Sequence, residues 1–203
     1  MKFDGPVASG ADTADARALL REVGVSDEAP VLVAGSTFEG EEELLCKLLA
    51  QWRKRYPDLF LVLVPRHFER AGAVLENLKH LNLRIIRRTA MNTEVDKPDV
   101  LLVDTTGELK AFYEVATLVF VGKSLTAQGG QNPIEPAALG RPIVFGPFMQ
   151  NFRSVVQSLL EAEAAIQVMD EAELSRQVSV LLGNPEQCAA LGTAAKAVVK
   201  GNK

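Results

Sequence analysis

A doubly wound α/β fold built on a parallel sheet is what the sequence predicts, on three observations. Short β-branched or leucine-rich runs alternate along the chain with longer helical patterns. Those runs are continuously apolar instead of alternating with polar residues, the pattern of a strand in a sheet covered on both faces. A composition of 47% hydrophobic against 24% charged residues over 203 positions supplies enough apolar surface to bury both faces of such a sheet.

The strands are expected at Val31 to Ala34, Leu59 to Val64, Leu83 to Ile86, Val100 to Val103, Leu118 to Val121, Ile143 to Phe145 and Ala165 to Val168. Residues 1–30 read as a lead-in segment with one short helical pattern, Ala14 to Val23. Residues 31–170 read as the α/β core, and 171–203 as C-terminal helices, the whole forming a single domain. The helix after the first strand carries Glu39, Glu41, Glu42 and Glu43 in its first turns and Arg53, Lys54 and Arg55 in its last, complementing the macrodipole before Pro57 stops it. Leu44, Leu45, Leu48, Leu49 and Trp52 form its core stripe. From Glu171 to Lys200 two helices are expected, broken at Gly183-Asn184-Pro185, packing back on the sheet or on a partner domain.

Charge and composition narrow the function. With 22 Lys and Arg against 26 Asp and Glu, the net charge of −4 disfavours a polyanion-binding face, so no nucleic-acid partner is expected. No apolar run reaches the roughly 18 residues of a membrane span, and Met1-Lys2-Phe3-Asp4-Gly5-Pro6 lacks the apolar core of a signal peptide. The chain as given is expected to be cytoplasmic. Cys46 and Cys188 each sit inside an apolar helical pattern and are expected as buried thiols, without a disulfide, a zinc site or a catalytic role.

In an open parallel sheet the ligand lies beyond the carboxyl ends of the strands, so the strand-to-helix loops are where chemistry belongs. Four are unusual. Gly35-Ser36-Thr37-Phe38-Glu39-Gly40 gives Ser36 and Glu39 the spacing of a capping box. Pro65-Arg66-His67-Phe68-Glu69-Arg70 places a guanidinium directly after a buried strand. Asp104-Thr105-Thr106-Gly107-Glu108-Leu109 again has Thr and Glu three apart. The fourth runs from Gly122-Lys123-Ser124 through Gly129-Gly130-Gln131-Asn132-Pro133-Ile134-Glu135-Pro136. Purely structural accounts exist for each: Asn132, Pro133 and Glu135 fit N-cap, N1 and N3 of a helix, Thr105 and Glu108 fit a cap, and Arg66 fits a surface ion pair. Convergence of all four loops on one sheet edge favours a site.

Familiar signatures fail. The position five before Gly122 is Thr117, so Gly122-Lys123-Ser124 does not complete a Walker loop. No GxGxxG follows the first strand, no Asp-x-Asp pair anchors a metal-bridged nucleotide, and no GxSxG elbow occurs. Neither a cofactor nor a metal is expected.

The run Gly122-Lys123-Ser124-Leu125-Thr126, Gly129 to Ala137, Phe145-Gly146-Pro147 and Met149-Gln150-Asn151-Phe152 resembles the C-terminal half of the 3-deoxy-D-manno-oct-2-ulosonic acid (Kdo) transferases of lipopolysaccharide synthesis. Pro65-Arg66-His67, Gly35-Ser36-Thr37 and Lys2-Phe3-Asp4 resemble the same family. The resemblance implies a Rossmann-like domain forming the C-terminal, donor-binding half of a GT-B glycosyltransferase. The N-terminal acceptor domain, with the membrane anchor and catalytic carboxylate, would be absent from this chain. It further implies that CMP is contacted by Pro65, Arg66, Gly107, Glu108, Leu109, Asn132, Pro133, Ile134 and Glu135, and that Lys2 stabilises the transition state.

The expected function is binding of the CMP-Kdo donor in a glycosyltransferase that passes Kdo to a lipid A precursor. This chain is expected to be inactive alone, and the full-length protein to act at the cytoplasmic face of the bacterial inner membrane. The alternatives are a UDP-sugar GT-B or epimerase domain, and a non-catalytic nucleotide-binding module.

Overall fold

In the computed structural model, which describes residues 11–91 and 97–201, seven parallel strands form one sheet. They are β1 (Val31–Thr37), β2 (Phe60–Pro65), β3 (Ile85–Arg87), β4 (Val100–Leu102), β5 (Leu118–Val121), β6 (Ile143–Phe145) and β7 (Ile166–Gln167). Each overlaps one of the seven apolar runs, although β1 continues through Gly35 and Ser36 to Thr37 and β3 ends one residue beyond its run, at Arg87. The helices are α1 (Ala11–Glu22), α2 (Glu41–Trp52), α3 (Ala71–Leu78), α4 (Leu109–Val115), α5 (Ile134–Ala138), α6 (Arg153–Glu161), α7 (Glu171–Leu182) and α8 (Pro185–Gly201). The strand order is β3-β4-β2-β1-β5-β6-β7.

The sheet buries both faces because successive side chains of a strand point to opposite sides. Val31 and Val33 of β1, with Val62, Leu101 and Val119, meet α1, α4 and α6 on one side. Leu32, Ala34, Leu61, Leu63 and Phe120 meet α2, α3 and α7 on the other. Continuous apolar runs are what this arrangement requires. The break at Gly183-Asn184-Pro185 falls between α7 and α8, where Asn184 Oδ1 accepts the Gln187 amide at 3.0 Å. Of the two packings open for these helices, α8 lies back against α5, α6, α7 and β6. Both cysteines are free and buried, and burial pushes the Cys46 thiol up to about 12 and raises Cys188 as well.

The helix-terminal charges read as macrodipole partners turn out to have specific contacts. Arg53 lies just past the end of α2 and pairs with Asp99, a residue 5% exposed at the amino end of β4. Asp99 also accepts from the Arg84 backbone at 2.8 Å and from its guanidinium at 2.7 Å. Burial alone would push this carboxyl up. The hydrogen bonds from Arg84 and Arg53 outweigh it and hold the group at about 2, against an ordinary 3.8. A depressed folded-state value contributes stability that is present above the ordinary pKa and lost as the pH falls from about 4 towards 2. Between pH 7 and pH 2, the Asp99→Asn variant should therefore lose about 1–2 kcal/mol less unfolding free energy than the wild type, after allowance for solvent screening. Urea titrations at the two pH values check this.

Candidate functional site

Because all the strands are parallel, every loop leaving a strand for a helix opens on the same edge. The chain goes from β1 to its neighbour β2, out to β3 and back to β4, then crosses to β5 on the far side of β1. Connections diverge between β1 and β5, and the crevice at their carboxyl ends is where such sheets receive ligands. Across that edge the loops follow the order of strands β4, β2, β1, β5. Pro65 and Arg66 therefore stand about 10 Å from the β5 loop, and Gly107 to Leu109 about one strand further.

Two close backbone approaches shape the crevice floor. Gly122 donates its amide to the Gly35 carbonyl at 2.8 Å. A Cβ on Gly122 would lie 2.4 Å from the Ser36 carbonyl oxygen, and one on Gly35 would lie 1.9 Å from the Tyr113 hydroxyl. Tyr113, two per cent exposed on α4, thus reaches beneath the end of β1. Burial pushes its phenol up, and the charge of Glu135 on α5, the helix packed against α4, adds to the effect.

The predicted residues fall as follows. Pro65 ends β2 opposite Thr37, and the Arg66 amide donates to the Thr37 carbonyl at 3.0 Å, leaving the guanidinium exposed. No carboxylate among the described residues pairs with it, contrary to the surface ion-pair account. His67 is exposed beside it. Gly107 precedes α4, and Glu108 is the N-cap residue with Leu109 following. The expected Thr105 cap does not form. Instead its hydroxyl bonds the Glu108 carboxylate, which also takes Arg88 Nε at 3.0 Å, because the exits of β3 and β4 lie side by side. Asn132, by contrast, makes the capping hydrogen bond expected of it, its side-chain Oδ1 accepting the Ile134 amide at 2.9 Å, although the regular turns of α5 begin only after Pro133. Glu135 lies in the first turn of α5, as expected, and is exposed. Lys2 lies outside the described residues.

The first loop departs most from expectation. Ser36 does not cap α2, since β1 runs on to Thr37 and Gly40 in the left-handed region (φ 88°) opens the helix. Glu39 is exposed, whereas Glu41 and Glu42 are buried at 0% and 3% exposure. Glu42 takes the Thr37 hydroxyl and Arg70, each at 3.0 Å, and burial still pushes its carboxyl up against those partners. Glu41 is the residue sequence reasoning missed as a loop anchor. Its carboxylate accepts backbone amides from Phe38 (2.9 Å), Lys123 (2.7 Å), Ser124 (2.9 Å) and Leu125 (3.1 Å). The far side of the β5 loop is held as firmly. Ser124 Oγ accepts the Gly146 amide at 2.9 Å, the Ser124 carbonyl accepts Phe148 at 2.9 Å, and Gly129 donates to Gln150 Oε1 at 2.8 Å. A surface groove of about 410 Å³ lined by Pro147, Met149, Gln150 and Arg153 borders this loop, while one of about 400 Å³ between α2 and α7 lies away from the crevice.

Chemically, the edge presents an exposed guanidinium, an exposed carboxylate and the first turns of two short helices. Together these suit a ligand with a phosphate at one end and vicinal hydroxyls at the other. Among the described residues, no group of three or more His, Cys, Asp or Glu side chains is placed to hold a metal ion.

No protein-family model matches the chain. A 3-deoxy-D-manno-octulosonic acid transferase of Haemophilus influenzae is 36% identical over 177 residues, which cover 87% of this chain and 42% of that protein. The chain thus spans about two fifths of the length of that relative. The crystal structure of the C-terminal CMP-Kdo binding domain of WaaA from Acinetobacter baumannii superposes with a TM-score of 0.85 at 30% identity, covering 95% of this chain and all of that one. HepE from Anabaena, solved with UDP and glucose, superposes with a TM-score of 0.65 at 17% identity, over 96% of this chain and 48% of that one, a likeness of fold.

Proposed function

The chain belongs to the Kdo transferase family of glycosyltransferases, with the fold of a GT-B C-terminal domain, and from that premise we propose that it binds the CMP-Kdo donor for transfer to a lipid A precursor. The observation that carries this reading is the match over 95% of its length to a domain described as CMP-Kdo binding, at 30% identity. The convergence of the β2, β4 and β5 loops on one edge agrees with it.

The donor has one phosphate joined directly to the anomeric carbon, so bond cleavage leaves charge on CMP and an electron-poor sugar. In the proposed site Arg66 meets the phosphate with a charge-assisted hydrogen bond, and the backbone amides at Gly107 to Leu109, with those of Asn132 and Glu135, add dipoles aimed at the same charge, the Ile134 amide being held by Asn132 Oδ1. Pro65 and Pro133 fix the backbone beside these donors. Glu135 accepts hydrogen bonds from the two ribose hydroxyls. Glu108 contributes through its backbone, its carboxylate being taken by Arg88 and Thr105. Lys2 is proposed, on the family resemblance, to stabilise the transition state. The acceptor is engaged by protein outside this chain, and the complete enzyme works at the cytoplasmic face of the inner membrane. No helix among the described residues is long and apolar enough to cross a membrane.

Titration calorimetry tests the reading. The wild type should bind CMP in preference to UDP, and Arg66→Ala or Glu135→Ala should each weaken CMP by about 1–3 kcal/mol, the scale for losing a partner to a charged group. Unchanged affinity in both variants removes the site assignment, and preference for UDP removes the donor assignment.

A further inference from the structure

We propose that Glu41 is a positioning residue of the donor site: its carboxylate occupies the concavity of amides formed by the β5 loop and fixes that loop in the shape that receives the nucleotide. The inference rests on the reading of the chain as a CMP-binding domain.

Fully buried carboxylates are expensive unless every lone pair is met. Glu41 meets this condition by accepting four backbone amides from two separate loops. On its own loop the contact is reciprocal, since the Glu41 amide donates to the Phe38 carbonyl at 3.0 Å while the Phe38 amide returns to the carboxylate. On the β5 loop, Lys123 adopts the left-handed region at φ 53°, a conformation that costs a side-chain-bearing residue energy, and its amide and the next two turn inward on one carboxylate. Successive inward amides of this kind form the backbone nests that bind anions. Here the anion is the protein's own.

Two consequences bear on the ligand. The amides of Lys123, Ser124 and Leu125 are already used, so the donor phosphate is received by Arg66 and the α4 and α5 segments instead. The hold on Lys123 also passes along the loop, because the Lys123 carbonyl accepts the Gly130 amide at 2.8 Å, two residues before Asn132. Glu41 thereby sets where Asn132 to Glu135 start.

The experiment compares CMP affinity and backbone amide NMR spectra of wild type, Glu41→Gln and Glu41→Ala, well below their unfolding temperatures. Glutamine fills the space but offers one acceptor oxygen, so affinity should fall roughly tenfold, and further in the alanine variant. Acetate matches the atoms the alanine variant lacks. Adding it should restore most of that variant's CMP affinity and return the Lys123, Ser124 and Leu125 amide resonances towards wild-type positions, with no benefit to the glutamine variant. A merely structural loss of stability would not show this pattern. Wild-type affinity in both variants overturns the inference. Failure of the wild type to bind CMP overturns the functional reading and the inference with it. If neither variant folds, hydrogen exchange on the wild type decides: CMP should slow exchange at Lys123 to Leu125 together with Ile134 and Glu135, and protection of the latter pair alone overturns the proposal.

Discussion

Incubated with CMP-Kdo and a lipid A precursor, the purified 203-residue chain should bind the donor yet transfer no detectable sugar. Transfer needs an acceptor hydroxyl held against the anomeric carbon and a base to take its proton. Positioning and base catalysis together are worth roughly four or more powers of ten in rate. Glu41, Glu42 and Glu108 on the carboxyl edge are each committed to partners within the fold, and Glu135 is proposed to hold ribose. The Haemophilus relative is more than twice as long as its matched region. Adding the remaining portion of such a relative, expressed separately, should restore turnover. Robust transfer by the chain alone would overturn this reading and direct attention to Glu135 or His67 as the base.

The second large effect concerns packing beneath the crevice. Gly122→Ala should destabilise the protein by about 3 kcal/mol, lowering its melting temperature by roughly 6–12 °C. The added Cβ would lie 2.4 Å from the Ser36 carbonyl oxygen and 2.6 Å from the Thr37 Cα. Those atoms are backbone in the central strand and cannot rotate away. Relief requires parting β1 from β5 at their carboxyl ends, which displaces both the Ser36–Gly40 loop and the loop held by Glu41, so CMP affinity should fall with stability. Gly72→Ala is the control: in α3 the new methyl meets nothing within 4 Å, and helix propensity favours alanine by up to about 1 kcal/mol. A Gly122→Ala variant that melts with the wild type would show that the two strands part more freely than their hydrogen bonds suggest.

What the sequence determined by itself was everything set by near neighbours. The five inner strands were legible because a strand buried on both faces is apolar along its length, the short edge strands β3 and β7, which carry Arg87 and Gln167, showed as apolar runs beside them, and the α7–α8 break was legible because Gly183-Asn184-Pro185 stops a helix locally. That the Arg66, Glu108 and Glu135 loops share an edge followed from the same pattern, since parallel strands linked by helices all return their exits to one side. Roles that depend on partners distant in the chain were decided only by the tertiary structure. Read locally, Ser36 and Glu39 had capping spacing and Glu41 looked like one more acidic residue in a first turn. Its three partners at Lys123, Ser124 and Leu125 lie 82 to 84 residues away, and reach it only because β1 and β5 pair in the sheet. Arg53 likewise looked like a helix-end charge until folding brought Asp99, 46 residues on, against it. A carboxylate's role is set by the donors that surround it once water is gone, and for these residues most of those donors come from elsewhere in the chain.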